Sequence, residues 1–196
     1  MVSLEPLELP GADLRFAPCW LPPGEADALF AALHAGLACE THRIRLFGRE
    51  VDSPRRSVWI GDPDATYRYS GTRFAPRPWT PGLRALARRL GAACGTSFNS
   101  VLANLYRDGR DGMGWHSDDE PELGPAPVIA SLSLGAPRRF AFKARAGDAG
   151  MRLVMPHGSL LVMAGGTQRL YRHALPKTAR PVGPRINLTF RLVGPS

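Results

Sequence analysis

An antiparallel, mainly β (α+β) fold of the barrel or jelly-roll kind, with flanking N-terminal helices, is the architecture this sequence predicts. Three observations carry that reading. Six short β-like runs follow Ser97, at 98–106, 128–134, 140–143, 151–155, 159–163 and 186–192, and Gly or Pro separates each from the next. Gly 21 and Pro 19 punctuate the 196 residues, which suits a turn-rich β protein better than a helical bundle. Helical periodicity is confined to two stretches in the first half of the chain.

Residues 1–22 read as an extended entry segment. Pro22-Pro23-Gly24 then opens a helix, because Ala26, Leu29, Phe30, Leu33 and Leu37 recur at helical spacing and form a stripe able to cover a sheet. Residues 41–79 are rich in Arg, Tyr, Trp and Pro without helical periodicity, so hairpins and loops are expected there. A second helix is signalled by Thr80 as N-cap and Pro81 in the first turn. Its apolar face is Leu83, Leu86, Ala87 and Leu90, its polar face Arg84, Arg88 and Arg89, and Gly91 is the expected stop. At 196 residues one domain suffices. The expected partition is an α/β lid over 1–96 packed on a β core over 97–196 as one unit.

A formal charge of +8 and a sequence pI of about 10.2 favour a polyanionic partner, since Lys and Arg beside phosphates release condensed counterions. Cys19, Cys39 and Cys94 are odd in number, widely separated and without CxxC spacing, which fits a reducing compartment. The start MVSLEPLELPGADLRF has no continuous apolar run, and nowhere do 18 apolar residues follow one another. A cytoplasmic, monomeric protein with no membrane association is therefore expected.

His116-Ser117-Asp118 supplies an imidazole and a carboxylate two residues apart, so on an extended segment both project to one face. His173 would complete two imidazoles and one carboxylate, the ligand set of a non-haem Fe(II) oxygenase. Such a triad leaves positions open for a bidentate cosubstrate and for O2, whereas a structural site is closed. The segment Arg185-Ile186-Asn187-Leu188-Thr189-Phe190-Arg191, read as a strand, places Arg185, Asn187, Thr189 and Arg191 on one face and Ile186, Leu188 and Phe190 on the other. A dicarboxylic cosubstrate needs a fixed guanidinium for its distal carboxylate, and this polar wall offers two. A solvated strand face would alternate in the same way. Asn104 and Tyr106 alternate likewise and could donate hydrogen bonds to the same cosubstrate.

These segments, NLYRDGRDGMGWHSDDEP, IASLSLGAPRRFAFK, HGSLLVMAG, HALP and PRINLTFR, taken in order, resemble the AlkB family of Fe(II)/2-oxoglutarate dioxygenases from about Asn99 to Val193, and more weakly through the N-terminal third. The resemblance implies a double-stranded β-helix core beneath a nucleotide-recognition lid. It assigns His116, Asp118 and His173 to iron, and Asn104, Tyr106, Arg185, Asn187, Thr189 and Arg191 to 2-oxoglutarate, with Arg185 on the distal carboxylate. Arg191, together with the triad, is counted with the catalytic set.

The activity implied is oxidation of N-methyl groups on nucleobases of alkylated DNA, with RNA as a further substrate, at the expense of O2 and 2-oxoglutarate. The base would be flipped and held by stacking. Tyr67 and Tyr69, matching an aromatic segment of the family, are candidates for that stacking, and Asp119 and Glu120 for the base edge, where a carboxylate favours a cationic methylated base. Ile44-Arg45-Leu46-Phe47-Gly48-Arg49 resembles the finger with which duplex-acting relatives probe the base stack, Phe47 being the wedge. Arg43, Arg45, Arg49, Arg55 and Arg56 surround it as candidate phosphate contacts. Two other readings stay open: a 2-oxoglutarate oxygenase of a protein or small molecule, and a non-catalytic nucleic-acid binding module.

Overall fold

The computed structural model describes residues 2–46, 49–69 and 72–194. In chain order these form β1 (Glu5–Leu7), β2 (Asp13–Ala17), α1 (Pro23–Gly36), β3 (Arg43–Leu46), β4 (Arg49–Asp52), β5 (Arg56–Gly61), β6 (Tyr67–Tyr69), β7 (Thr72–Phe74), α2 (Pro81–Cys94), β8 (Ser100–Tyr106) and β9 (Met113–His116). Then come β10 (Ile129–Gly135), β11 (Arg138–Ala144), β12 (Gly150–Met155), β13 (Ser159–Ala164), α3 (Thr167–Leu170), β14 (Tyr171–Leu175) and β15 (Arg185–Arg191). Two antiparallel sheets face one another. The major sheet runs β1-β2-β13-β10-β15-β8-β5 and the minor sheet β12-β11-β14-β9, the layout of a jelly roll.

Alternation along each strand explains why the major sheet is buried on both sides. On its outer face Ile186, Leu188 and Phe190 join Leu132, Leu134, Val101 and Ala103 beneath α1 and α2, in one apolar cluster. Its inner face carries Arg185, Asn187, Thr189 and Arg191, which are buried as well. The strand is therefore not a solvated face. At one end of the space between the sheets, Leu14, Ile129, Phe142, Leu161 and Met163 form a second cluster, and the polar site lies beside it.

Three sequence expectations are corrected. The boundary at 96/97 falls inside one sheet, because β2 pairs with β13 and β5 pairs with β8, so among the strands of the described residues only the β3–β4 and β6–β7 hairpins stand apart from the two main sheets. Gly91 does not end α2. The helix continues to Cys94 and stops at Gly95 in the left-handed region (φ 70°). Gly91 is instead required by close approach, since a Cβ there would lie 2.6 Å from the Thr96 carbonyl oxygen. Finally, β9 ends at His116, so Asp118 lies beyond the strand and a shared strand face does not place it. Thr80 does cap α2 as expected, its side chain accepting from Leu83 N at 3.3 Å.

Candidate metal and cosubstrate site

Register brings the triad together. His173 on β14 stands opposite His116 on β9, with an irregularity in pairing just beyond, of the kind that re-aims side chains beside active sites. The rings lie 4.2 Å apart between centroids, and one ligand atom from each of His116, Asp118 and His173 falls within 4.8 Å of the others. His116 Nδ1 donates to the Gly114 carbonyl at 2.8 Å, which leaves Nε2 as the lone-pair nitrogen, 3.7 Å from Asp118 Oδ1. Phe140 stacks on His173 at 5.4 Å, so the second imidazole is packed as well as paired.

The electrostatics keep the set deprotonated. Burial pushes His173 down to about 3, with the His116 and Arg191 charges adding to the effect, and burial also lowers His116. For Asp118 burial alone would raise the carboxyl, but the Arg191 guanidinium and the two imidazoles outweigh it and hold it well below the usual carboxylate range. Two neutral imidazoles and an ionised carboxylate are what a divalent ion requires. His173 Nδ1 is buried without a hydrogen-bond partner among the described residues, an orphan that a ligand-bearing site accommodates.

Asp118 is held from two sides. Arg191 Nη2 donates to its Oδ2 at 2.6 Å, and its backbone N–H donates to Gln168 Oε1 at 3.0 Å. Ser117 Oγ donates to the Tyr171 carbonyl at 2.8 Å, so the ligand loop is pinned to the segment that leads into His173. Sequence reasoning missed Gln168, because a buried glutamine on a single-turn helix carries no periodic signal.

Beside the triad opens a cavity of about 480 Å³, lined by His116, Asp118 and His173 and by Asn104, Tyr106, Arg185, Asn187, Thr189 and Arg191. Arg185 is 2 % exposed, donates to Ser133 Oγ and to Asn187 Oδ1 at 2.8 Å each, and sits 5.3 Å from the Tyr106 ring centroid. Its Nε has no hydrogen-bond partner and it has no carboxylate partner among the described residues, while burial holds the guanidinium down at about 10. A buried cation without an anion is costly, and the distal carboxylate of 2-oxoglutarate would supply the missing charge. Ser133 and Ser131 also escaped the sequence reading, although the alternation of IASLSLG beside RINLTFR was the available signal: Ser131 Oγ donates to Asn187 Oδ1 at 3.1 Å.

The substrate candidates divide. Glu120 lines the cavity, whereas Asp119 is exposed and pairs with Arg145, because the two side chains leave the loop in different directions. Arg55 is a buried residue lining the cavity and not a solvated phosphate contact: its Nε donates to Asn104 Oδ1 at 2.7 Å and its Nη1 to Ser53 Oγ at 3.2 Å. Arg43 is exposed and lines the cavity, and Arg56 is exposed. Tyr67 and Tyr69 are two apart on β6, paired in register with Phe74 and Thr72; their side chains, and those of Arg45 and Arg49, lie outside what the structure describes. Phe47 also lies outside the described residues.

Fold and site together define an oxygenase that uses iron and 2-oxoglutarate, and the family model described as the 2OG-Fe(II) oxygenase superfamily matches residues 13–191. The human DNA oxidative demethylase ALKBH2 is 38% identical over 180 residues, covering 86% of this chain and 69% of that protein. The human alpha-ketoglutarate-dependent dioxygenase alkB homolog 3 is 43% identical over 152 residues, 72% of this chain and 52% of its own length. The solved structure of OsALKBH1 superposes with a TM-score of 0.64 over 96% of this chain and 99% of that one, at 16% identity, a likeness of fold. The chain belongs to the AlkB family of Fe(II)/2-oxoglutarate dioxygenases.

Proposed function

We propose that this enzyme oxidatively demethylates N-alkylated nucleobases of the 1-methyladenine and 3-methylcytosine type in DNA, with RNA as a further substrate, and so repairs alkylation damage. The observation that carries the reading is one cavity lined by the triad and Arg185, by Glu120 and Arg55, and also by the exposed Glu40, Arg43 and Arg77. A flipped base with its phosphates left outside fits that polarity. The names of the relatives, one a DNA oxidative demethylase, support the same substrate class.

Iron with 2-oxoglutarate and O2, when bound, supplies a two-electron oxidation of the methyl C–H bond: N–CH3, O2 and 2-oxoglutarate become N–CH2OH, succinate and CO2, and the hydroxymethyl group leaves as formaldehyde. The chain does the rest. His116, Asp118 and His173 would hold the metal on one side, and Arg191 keeps Asp118 ionised and oriented. Arg185 would take the distal carboxylate bidentately, while Asn104, itself steered by Arg55, offers its amide N–H to the cosubstrate. Glu120 would face the base edge, where its charge favours a cationic lesion over a neutral base. Tyr67, Tyr69 and Phe47 remain our candidates for stacking and probing.

The test is direct. Anaerobic loading with Fe(II), followed by O2, 2-oxoglutarate and an oligonucleotide carrying 1-methyladenine or 3-methylcytosine, should release formaldehyde and unmodified base. His116→Ala should abolish the release. Cosubstrate turnover that no methylated oligonucleotide stimulates would sink the repair reading and favour a protein or small-molecule substrate.

A further inference from the structure

The strands that carry the imidazole ligands have a second face. On β14 His173 is turned between the sheets while Arg172 is exposed, and on β9 His116 lines the cavity while the adjacent Trp115 is 44% exposed. Pairing extends this outer face: Lys143 on β11 stands opposite Arg172, Ala141 opposite Arg152 and Ala174, and Arg139 opposite Val154. Arg139, Lys143, Arg152 and Arg172 are thus neighbours around two small alanines, and β9, β11, β12 and β14 contribute no acidic residue. Lys143 Nζ lies 4.5 Å from the Trp115 ring centroid, which holds the ammonium beside β9.

What separates these cations from many others is the lack of a partner. Exposed Arg77, Arg84, Arg89, Arg110 and Arg145 each pair with an Asp or Glu. None of the four sheet cations has a carboxylate partner among the described residues. Like charges gathered without counter-charge repel one another and hold condensed anions, the electrostatic footprint of a polyanion site. The dimensions suit a nucleic-acid backbone. Three strand spacings from β12 to β9 span about 14 Å, four residues along β11 span about 14 Å, and over that distance a duplex carries about eight phosphate charges. A protein partner would need a continuous apolar centre, and here Trp115 and Val154 are the large exposed apolar side chains.

We propose that the outer face of the minor sheet is a second nucleic-acid contact, taking the phosphate backbone of the duplex that flanks the nucleotide held in the cavity. This rests on the nucleic-acid reading above. The sheet separates the patch from the cavity, so the flipped nucleotide cannot reach it; the backbone must pass round β9, the edge strand that borders both. Contacts of this kind position the polymer without reading its sequence.

The metal-loaded enzyme carrying Arg139→Gln, Lys143→Gln, Arg152→Gln and Arg172→Gln together tests this, with Arg152→Glu alone as a second variant should the first fold poorly. Each is compared with the wild type on a methylated trinucleotide and on a duplex of about 20 base pairs bearing the same lesion. Trinucleotide kcat/KM should stay within about twofold. For the duplex, KM should rise several-fold in both variants, and in the fourfold variant the slope of log affinity against log salt should shrink by about 0.9 for each phosphate that is no longer neutralised. Unchanged slope and KM, with the wild type active on both substrates, would overturn the patch and leave the demethylase reading standing. A wild type active on neither would overturn both. Equal losses on the two substrates, or loss of binding to anionic lipid vesicles with duplex binding intact, would also remove the patch as a nucleic-acid contact.

Discussion

Replacing Arg185 by Met is expected to leave the empty enzyme about as stable as before and to cripple cosubstrate binding. The guanidinium is 2 % exposed and is held at about 10 by burial. That is well below the value of a solvated arginine, so keeping the charge there costs the empty protein on the order of a few kcal/mol. Methionine relieves that cost. It also removes the donor to Ser133 Oγ, 2.8 Å away, at about 1–3 kcal/mol for an acceptor left unpaired, whereas Asn187 Oδ1 keeps Ser131 Oγ as a donor. The terms nearly cancel, so the net change in stability without cosubstrate should lie within about 2 kcal/mol of zero. Binding has no such compensation, because the distal carboxylate would meet an uncharged wall. Truncating one partner of a buried charge pair costs about 2–5 kcal/mol, a loss of on the order of 30-fold to several thousand-fold in affinity. Calorimetric titration of 2-oxoglutarate into anaerobic, Mn(II)-loaded protein measures the second quantity, and urea unfolding without ligand measures the first. Binding within about threefold of the wild type would refute the assignment of Arg185. Destabilisation of the empty protein beyond about 4 kcal/mol would show the residue to be a structural strut instead.

Gln168→Leu should weaken metal affinity by about 10–100-fold, as loss of a group that orients a ligand usually does, while the circular dichroism stays native; a Co(II) absorption titration reads this, and unchanged affinity would remove Gln168 from the support of Asp118. Metal-free protein should lose stability as pH falls from about 7.5 to about 5. His173 is held at about 3 in the folded state and returns to about 6.5 when unfolded, so its contribution is complete above pH 6.5 and is lost as pH falls toward 3. At pH 5 that loss is on the order of 2 kcal/mol, and thermal melts in chelator should show it in the wild type and show it reduced in His173→Gln; identical curves for the two would mean the imidazole is not buried neutral. Gly135→Ala should cost about 1–3 kcal/mol in urea unfolding, because φ is 84° there and a Cβ would lie 2.4 Å from the Pro184 carbonyl oxygen; a neutral substitution would mean that the β10–β11 turn can relax.

The polar wall of β15 is legible in the chain itself, because alternation along one strand is a local property and both of its faces are spelled out in seven residues. What alternation leaves open is which neighbour each face meets. Arg55 shows the gap: in sequence it is one of several arginines in a basic loop, and in the fold it is buried against Asn104, 49 residues away. Asp118 shows it again, since its supports, Gln168 and Arg191, come 50 and 73 residues later. The expected lid is too large for the same reason. Nothing in residues 13–17 announces that they will pair with 160–164.

By itself the sequence determined the β-rich class, the two helices, the ligand types and the strand whose polar face lines the cavity, because period, capping residues and metal-ligand chemistry are properties of short segments. Tertiary structure alone decided that Arg185 is a buried cation without an acidic partner among the described residues, that Asp119 turns away while Glu120 turns in, and that four scattered cations share one surface behind the metal ligands. Those facts depend on the register between strands far apart in the chain, which is set by how whole faces pack and not by any segment alone.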